Sequence, residues 1–206
     1  MMEKRPVAIE QPNLLLVEGK DEQGALGALL KHMGLADMQV VPAGGKTLLA
    51  DGLHGLTIAT GFASVRSIGI VRDADDDSDA ALRSVCHALS REGLPVPRAP
   101  LVPAAGPPRV TVIILPGASR QGTLEDLCLE AVAGDPAFTC LGRYFDCLKE
   151  VGVRGPRNLS RAQMQVFLAS RTEAGKRLGE AAQAGYLPLD APAFDELKRF
   201  LKTVSS

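Results

Sequence analysis

Apolar residues along this chain follow two rhythms. Short continuous runs, "NLLLV" from Asn13, "MQVV" from Met38, "SIGIV" from Ser67 and "RVTVIIL" from Arg109, have the length of buried strands, and turn-forming or acidic residues close them. Between the runs, apolar positions recur every three or four residues. Leu26, Leu29, Leu30 and Met33 predict a helix ended by Gly34. "KTLLADGLHGLTIATGFA" predicts a second helix, weakened by glycines, and Ala81, Leu82, Val85, Ala88 and Leu89 predict a third from about Asp77 to Arg91. The proline-rich "EGLPVPRAPLVPAAGPP" reads as a connection or an edge segment. Beyond Gly122 the pattern is helical, through "TLEDLCLEAVAG", "AFTCLGRYFDCLKEVG", "SRAQMQVFLASR", "EAGKRLGEAAQAG" and "APAFDELKRFLKTV". Strands alternating with helices predict an α/β fold, a mainly parallel sheet covered on both faces, with function at the carboxyl ends of its strands. A boundary near Gly134 divides the chain into an α/β domain, 1–134, and a helical C-terminal extension, 135–206, packed on it.

Composition adds limits. With 206 residues, 46% of them hydrophobic, the chain can bury a core without disulfide or metal staples. Cys86, Cys128, Cys140 and Cys147 form no C-x-x-C pair, and His32, His54 and His87 stand in no zinc-like spacing with them, so the thiols read as reduced. The N-terminus has no signal-peptide apolar region, and no run approaches the ~20 apolar residues of a membrane span, so the expectation is a cytoplasmic protein without membrane contact. A net charge of −1 argues against a uniformly basic nucleic-acid binder. The charge is nevertheless uneven: from Arg143 onward eleven Lys and Arg face seven Asp and Glu, against twelve and seventeen before it. A basic C-terminal face, with Arg154, Arg157 and Arg161, is therefore a candidate surface for a polyanion, and equally a solvated helical face.

The acids carry the chemistry. "SIGIVRDADDD" ends an apolar strand in four carboxylates within five residues, which repel one another unless solvent or a cation offsets the cost. "LLLVEG" ends the first strand in Glu18. In a parallel sheet Glu18, Asp73 and Asp75 can converge on one edge, and Asp73 and Asp75 point the same way if the strand persists between them. Three such oxygen donors suit a hard cation. Asp73-x-Asp75-x-Asp77 is not an EF-hand loop, because Ser78 and Ser84 stand where Gly and Glu are needed. "GGKT" at Gly44 to Thr47 is not a phosphate loop, because Val40 stands where its first Gly belongs.

Taken together, "LLLVEG" and "GIVRDAD" resemble the signature of the Toprim domain, shared by topoisomerases, bacterial primases, RNA-maturation nucleases and OLD nucleases. The resemblance covers about Asn13 to Gly122. It implies a Toprim/Rossmann-like sheet, Mg²⁺ or Mn²⁺ as cofactor, and cleavage or transfer of phosphodiesters in DNA or RNA. It also implies that Asp73 and Asp75 hold the metal, with Glu18 sharing it or acting as general acid/base. Nuclease-type members often carry an Asp four residues after the Glu, where this chain has Glu22. Glu125 and Asp126 in "TLEDL" loosely match an acidic pair that helps OLD-type nucleases bind a second metal. Thr123 with Asp126 three residues on is also a capping box, and Asp21 and Glu22 are also first-turn acids of a helix. Lys20, Lys46 and Arg72 adjoin strand ends and are candidate phosphate contacts. Two other readings stand beside this one: a non-catalytic metal-binding module serving a partner protein, and a haloacid-dehalogenase-like phosphatase with Asp73 as nucleophile and Asp75 as acid/base.

Overall fold

The computed structural model describes residues 8–45 and 49–206. Strands β1 (Asn13–Val17), β2 (Met38–Pro42), β3 (Ser67–Asp73) and β4 (Arg109–Leu115) pair in the order β2-β1-β3-β4, with every ladder parallel. Parallel neighbours require crossovers. These are α1 (Lys20–Met33), α2 (Leu49–Thr57) and α3 (Ser78–Arg91). After β4 come α4 (Leu124–Ala131), α5 (Pro136–Glu150), α6 (Leu159–Ala169), α7 (Leu178–Gln183) and α8 (Asp195–Ser205). The expected α/β architecture is therefore the observed one. Among the described residues no helix is long and apolar enough to cross a membrane.

Period-two alternation splits the interior into two cores. Leu15, Val17, Val71, Ile113 and Leu115 point to one face, where α1, α4, α6, α7 and α8 bury Leu26, Leu127, Phe167, Ala181 and Phe200 against them. Leu14, Leu16, Ile68, Ile70 and Val112 point to the other, against Leu53 and Leu56 of α2 and Val85 and Leu89 of α3. Both faces are thus covered, which explains why the strand sequences read as unbroken apolar runs.

The chain departs from the predicted elements where glycine and proline act. The expected helix over 173–185 shrinks to α7, because Gly175 takes a φ of +88° and Arg177 is extended. Helix α8 begins only at Asp195, after a 3₁₀ turn at Pro192–Phe194. The proline-rich segment shields the edge of β4: Leu101 donates its backbone N–H to Val112, and Ala104 pairs antiparallel with Val110. Strand β3 stops at Asp73, and Asp75 takes a left-handed φ of +50°, so the strand does not persist through the second acid.

One close approach positions the C-terminal half. Helices α1 and α7 touch through Gly24 and Gly179, where a Cβ on Gly24 would lie 2.7 Å from Gly179 Cα. Any side chain there forces backbone against backbone. Gly24→Val is expected to cost ~1–3 kcal/mol, as overpacking does. A urea unfolding midpoint unchanged from wild type would show that the contact is looser than described.

Candidate metal centre at the carboxyl edge

Strand order reverses between β1 and β3, since β2 lies to one side of β1 while β3 and β4 lie to the other. The carboxyl ends of the two strands at such a switch point frame a crevice. Glu18 follows β1 and Asp73 closes β3. The ladder pairs Leu16 with Ile70, so two residues further along Glu18 comes level with Arg72.

The side chains lock at that position. Arg72, only 5% exposed, forms an ion pair with Glu18 through Glu18 Oε1. The backbone N–H of Asp73 donates to the same oxygen at 3.2 Å. A guanidinium inside a strand end needs a counter-charge, and Glu18 supplies it. Arg72 Nε has no hydrogen-bond partner, so the pair is not fully satisfied. Asp73, 8% exposed, accepts the backbone N–H of Leu124 at 3.0 Å, which places its charge at the positive N-terminus of α4.

These groups open onto a cleft of about 360 Å³. Its walls carry six carboxylates, Glu18, Asp21, Glu22, Asp73, Asp75 and Glu125, and three cations, Lys20, Arg161 and Arg177. Crowding shows in the protonation equilibria. Burial pushes the Asp73 carboxyl up to about 8, and Glu18, Glu22 and Glu125 push it the same way against the Leu124 hydrogen bond. Burial also raises Glu22, opposed by a backbone hydrogen bond and reinforced by Glu18, Glu125 and Asp21. All-oxygen donors with mutual repulsion suit a hard divalent cation such as Mg²⁺ or Mn²⁺. Among the described residues, however, no three His, Cys, Asp or Glu side chains stand in metal-binding geometry. The oxygen donors are of the type such an ion takes, and Glu18 is engaged by Arg72.

Not every residue singled out in the sequence lies in the cleft. Asp126 is turned away: one oxygen accepts the Thr123 N–H at 2.8 Å and its hydroxyl at 3.1 Å, and the other accepts the Ser160 hydroxyl. It is a helix cap that also ties α6 to α4. Arg72 is buried beneath Glu18 rather than offered to solvent. Lys20 is exposed at the rim. Lys46 lies outside the described residues. Arg154 and Arg157 are exposed and are not among the residues lining the cleft, whereas Arg161 lines it, 3.8 Å from Glu125 and 3.9 Å from Asp21. Sequence reasoning missed Asn158 and Arg177. Asn158 caps α6 through the Arg161 N–H at 2.8 Å, a role its place before "LSR" signals. Nothing local marks Arg177, which reaches the cleft because α7 docks on α1.

A protein-family model described as "Protein of unknown function (DUF3226)" matches residues 12–206, and the chain belongs to that family. The structure is also similar to the C-terminal region of the Xanthomonas campestris pv. campestris OLD protein, at 15% identity and a TM-score of 0.48, over 95% of this chain and 97% of that one. No curated protein matches the sequence.

Proposed function

We propose that this member of the DUF3226 family is a Toprim-type, Mg²⁺- or Mn²⁺-dependent protein that cleaves or transfers phosphodiesters in nucleic acid. The observation that carries the reading is the crowding of Glu18, Glu22, Asp73, Asp75 and Glu125 around one small cleft at the switch point of a parallel sheet. Asp73 and Asp75, with Glu18, Glu22 and Glu125 near them, would hold the ion. Asp126, spent on capping α4, stays outside the set.

A bound divalent ion supplies charge neutralisation at a phosphate and polarises its oxygens. The chain's own residues do the rest. Arg161 and Arg177, and Lys20 at the rim, bind and orient phosphate oxygens, since a guanidinium fork matches them in pairs. Glu18, beside Arg72, is the group placed to hold or move a proton on the attacking or leaving oxygen, and positioning of this kind supplies most of the catalysis in phosphoryl transfer. The buried walls limit bulk water around Asp73.

The Arg72 pairing favours one second reading, a module that takes up cation without turnover, because Glu18 is already neutralised. Both readings expect Mn²⁺ to raise the melting temperature of the native protein. Only the enzyme reading expects Mn²⁺-dependent cutting of labelled single-stranded or duplex DNA or RNA that disappears in Glu18→Gln while circular dichroism is unchanged. A wild-type protein that responds to Mn²⁺ but leaves every such substrate intact belongs to the module reading.

A further inference from the structure

Helix α5 meets the rest of the protein along one side only. Ala137, Phe138 and Phe145 pack on the core around Leu141, the helix's sole buried residue. On a neighbouring side Cys140, Tyr144, Cys147 and Val151, the last of which caps the helix, are all exposed. Their spacing of four, three and four residues sets them in one stripe, three turns and ~16 Å long. A free cysteine packs as a small hydrophobe, so the stripe is apolar from end to end. Tyr144, Val151, Val153 and Leu159 concentrate exposed bulky apolar surface on α5 and the segment leading to α6; among the described residues only Ile58, Val96 and Val102 match them elsewhere.

The stripe has the repeat of a coiled-coil seam, with Cys140 and Cys147 at d and Tyr144 and Val151 at a. Arg143 and Glu150 then stand at the g positions, both exposed, and neither has an ion-pair partner among the described residues. The e positions hold Leu141 and Leu148. In a parallel pair g faces e, which would set both charges against leucines. In an antiparallel pair g faces g. Tyr144 then meets Cys147 of the second copy, Cys140 meets Val151, and Arg143 meets Glu150, and two-fold symmetry repeats each contact.

We propose that α5 is a self-association face, on which a second copy of this chain docks antiparallel through Cys140, Tyr144, Cys147 and Val151, with Arg143 and Glu150 fixing the direction. The charges single out that occupant, because one helix carries both the cation and the anion, seven residues apart, that its own reversed copy requires. Three turns per chain cover less than the ~800 Å² per partner of a stable interface, so the dimer is weak, with a Kd on the order of 10–100 µM. None of the four stripe residues lines the acidic cleft, so pairing is independent of the chemistry proposed there.

Sedimentation velocity of the full chain is expected to show a monomer at ~1 µM and mainly dimer by ~200 µM. Tyr144→Asp, at the centre of the stripe, is expected to stay monomeric throughout with its circular dichroism unchanged. Arg143→Glu and Glu150→Arg, each placing like charges together, are expected to weaken the dimer about tenfold singly and to restore it when combined. Cross-linking reads the direction. In a Cys147→Ser background, Val151→Cys treated with the oxidant diamide is expected to give a disulfide-linked dimer through Cys140 of the second copy, lost when Cys140→Ser is added. Within one chain the two positions lie three turns apart, out of reach of each other. A wild type that is still monomeric at ~200 µM overturns the proposal. So does a dimer indifferent to Tyr144→Asp, a double charge reversal that fails to restore association, or a linked dimer that forms in the Cys147→Ser background without Val151→Cys.

Discussion

In EDTA near pH ~8, Asp73→Asn is expected to melt several degrees above the wild type, and to lack the Mn²⁺ stabilisation expected of the wild type. The asparagine keeps the shape and still accepts the Leu124 N–H, so the change removes a charge and little else. The direction follows from linkage. Asp73 holds its proton up to about 8 in the fold against an ordinary value of 3.8, so the fold binds that proton more tightly than the unfolded chain does. Its contribution is therefore full below ~pH 4 and is lost as pH rises through about 8. That displacement bounds the effect at ~6 kcal/mol, and a chain of this size moves ~2–4 °C per kcal/mol. The gap between mutant and wild type should accordingly close as the buffer is taken toward ~pH 4–5. The proposed phosphodiester cleavage should fall by more than the ~10–100-fold that follows loss of a residue merely supporting a ligand. A mutant that still gains stability from Mn²⁺, or that melts below wild type at the alkaline end, would remove Asp73 from the proposed centre.

What the sequence made legible depended on the range of the physics involved. The strands and their order of appearance were readable, because an apolar run closed by Glu18 or by Asp73 is a local pattern, and so was the α/β class that follows from alternation. The Glu18–Arg72 pair was not, because it depends on a register joining residues 54 apart, which alternation within one strand cannot fix. Arg72 in "GIVRDAD" looked like one more strand-end cation. Burial on both sides of the sheet makes it an internal counter-ion instead. Asp126 admitted two local readings, ligand and cap. The Thr123 donors and Ser160 of α6 engage both of its oxygens, and the second partner lies 34 residues away. Arg177 belongs to the cleft only because two glycines let α7 lie against α1, a contact across more than 150 residues that no helical period encodes. Helix α7 itself was overestimated because "EAGKRLGEAAQAG" has good helical composition, which Gly175 interrupts.

Arg72→Met is expected to cost ~3–5 kcal/mol, or on the order of 10 °C in melting temperature, because it leaves Glu18 charged and half-buried without its paired guanidinium. Methionine fills the space of the arginine stem, so little of that loss is packing. The double variant Glu18→Gln with Arg72→Met removes the orphaned charge as well as its partner, and should recover most of the stability. The resulting coupling energy separates an ion pair from two independent residues. Divalent cation adds a second axis. With the guanidinium gone, Glu18 is released toward the cleft it lines with Asp73 and Glu22, where a divalent cation neutralises it along with its neighbours. Arg72→Met should then gain more from saturating Mn²⁺ than the wild type does, while the double variant should gain less. If the single variant loses stability but gains no more from Mn²⁺ than the wild type, Arg72 is a structural counter-ion alone, and Glu18 has no part in holding metal.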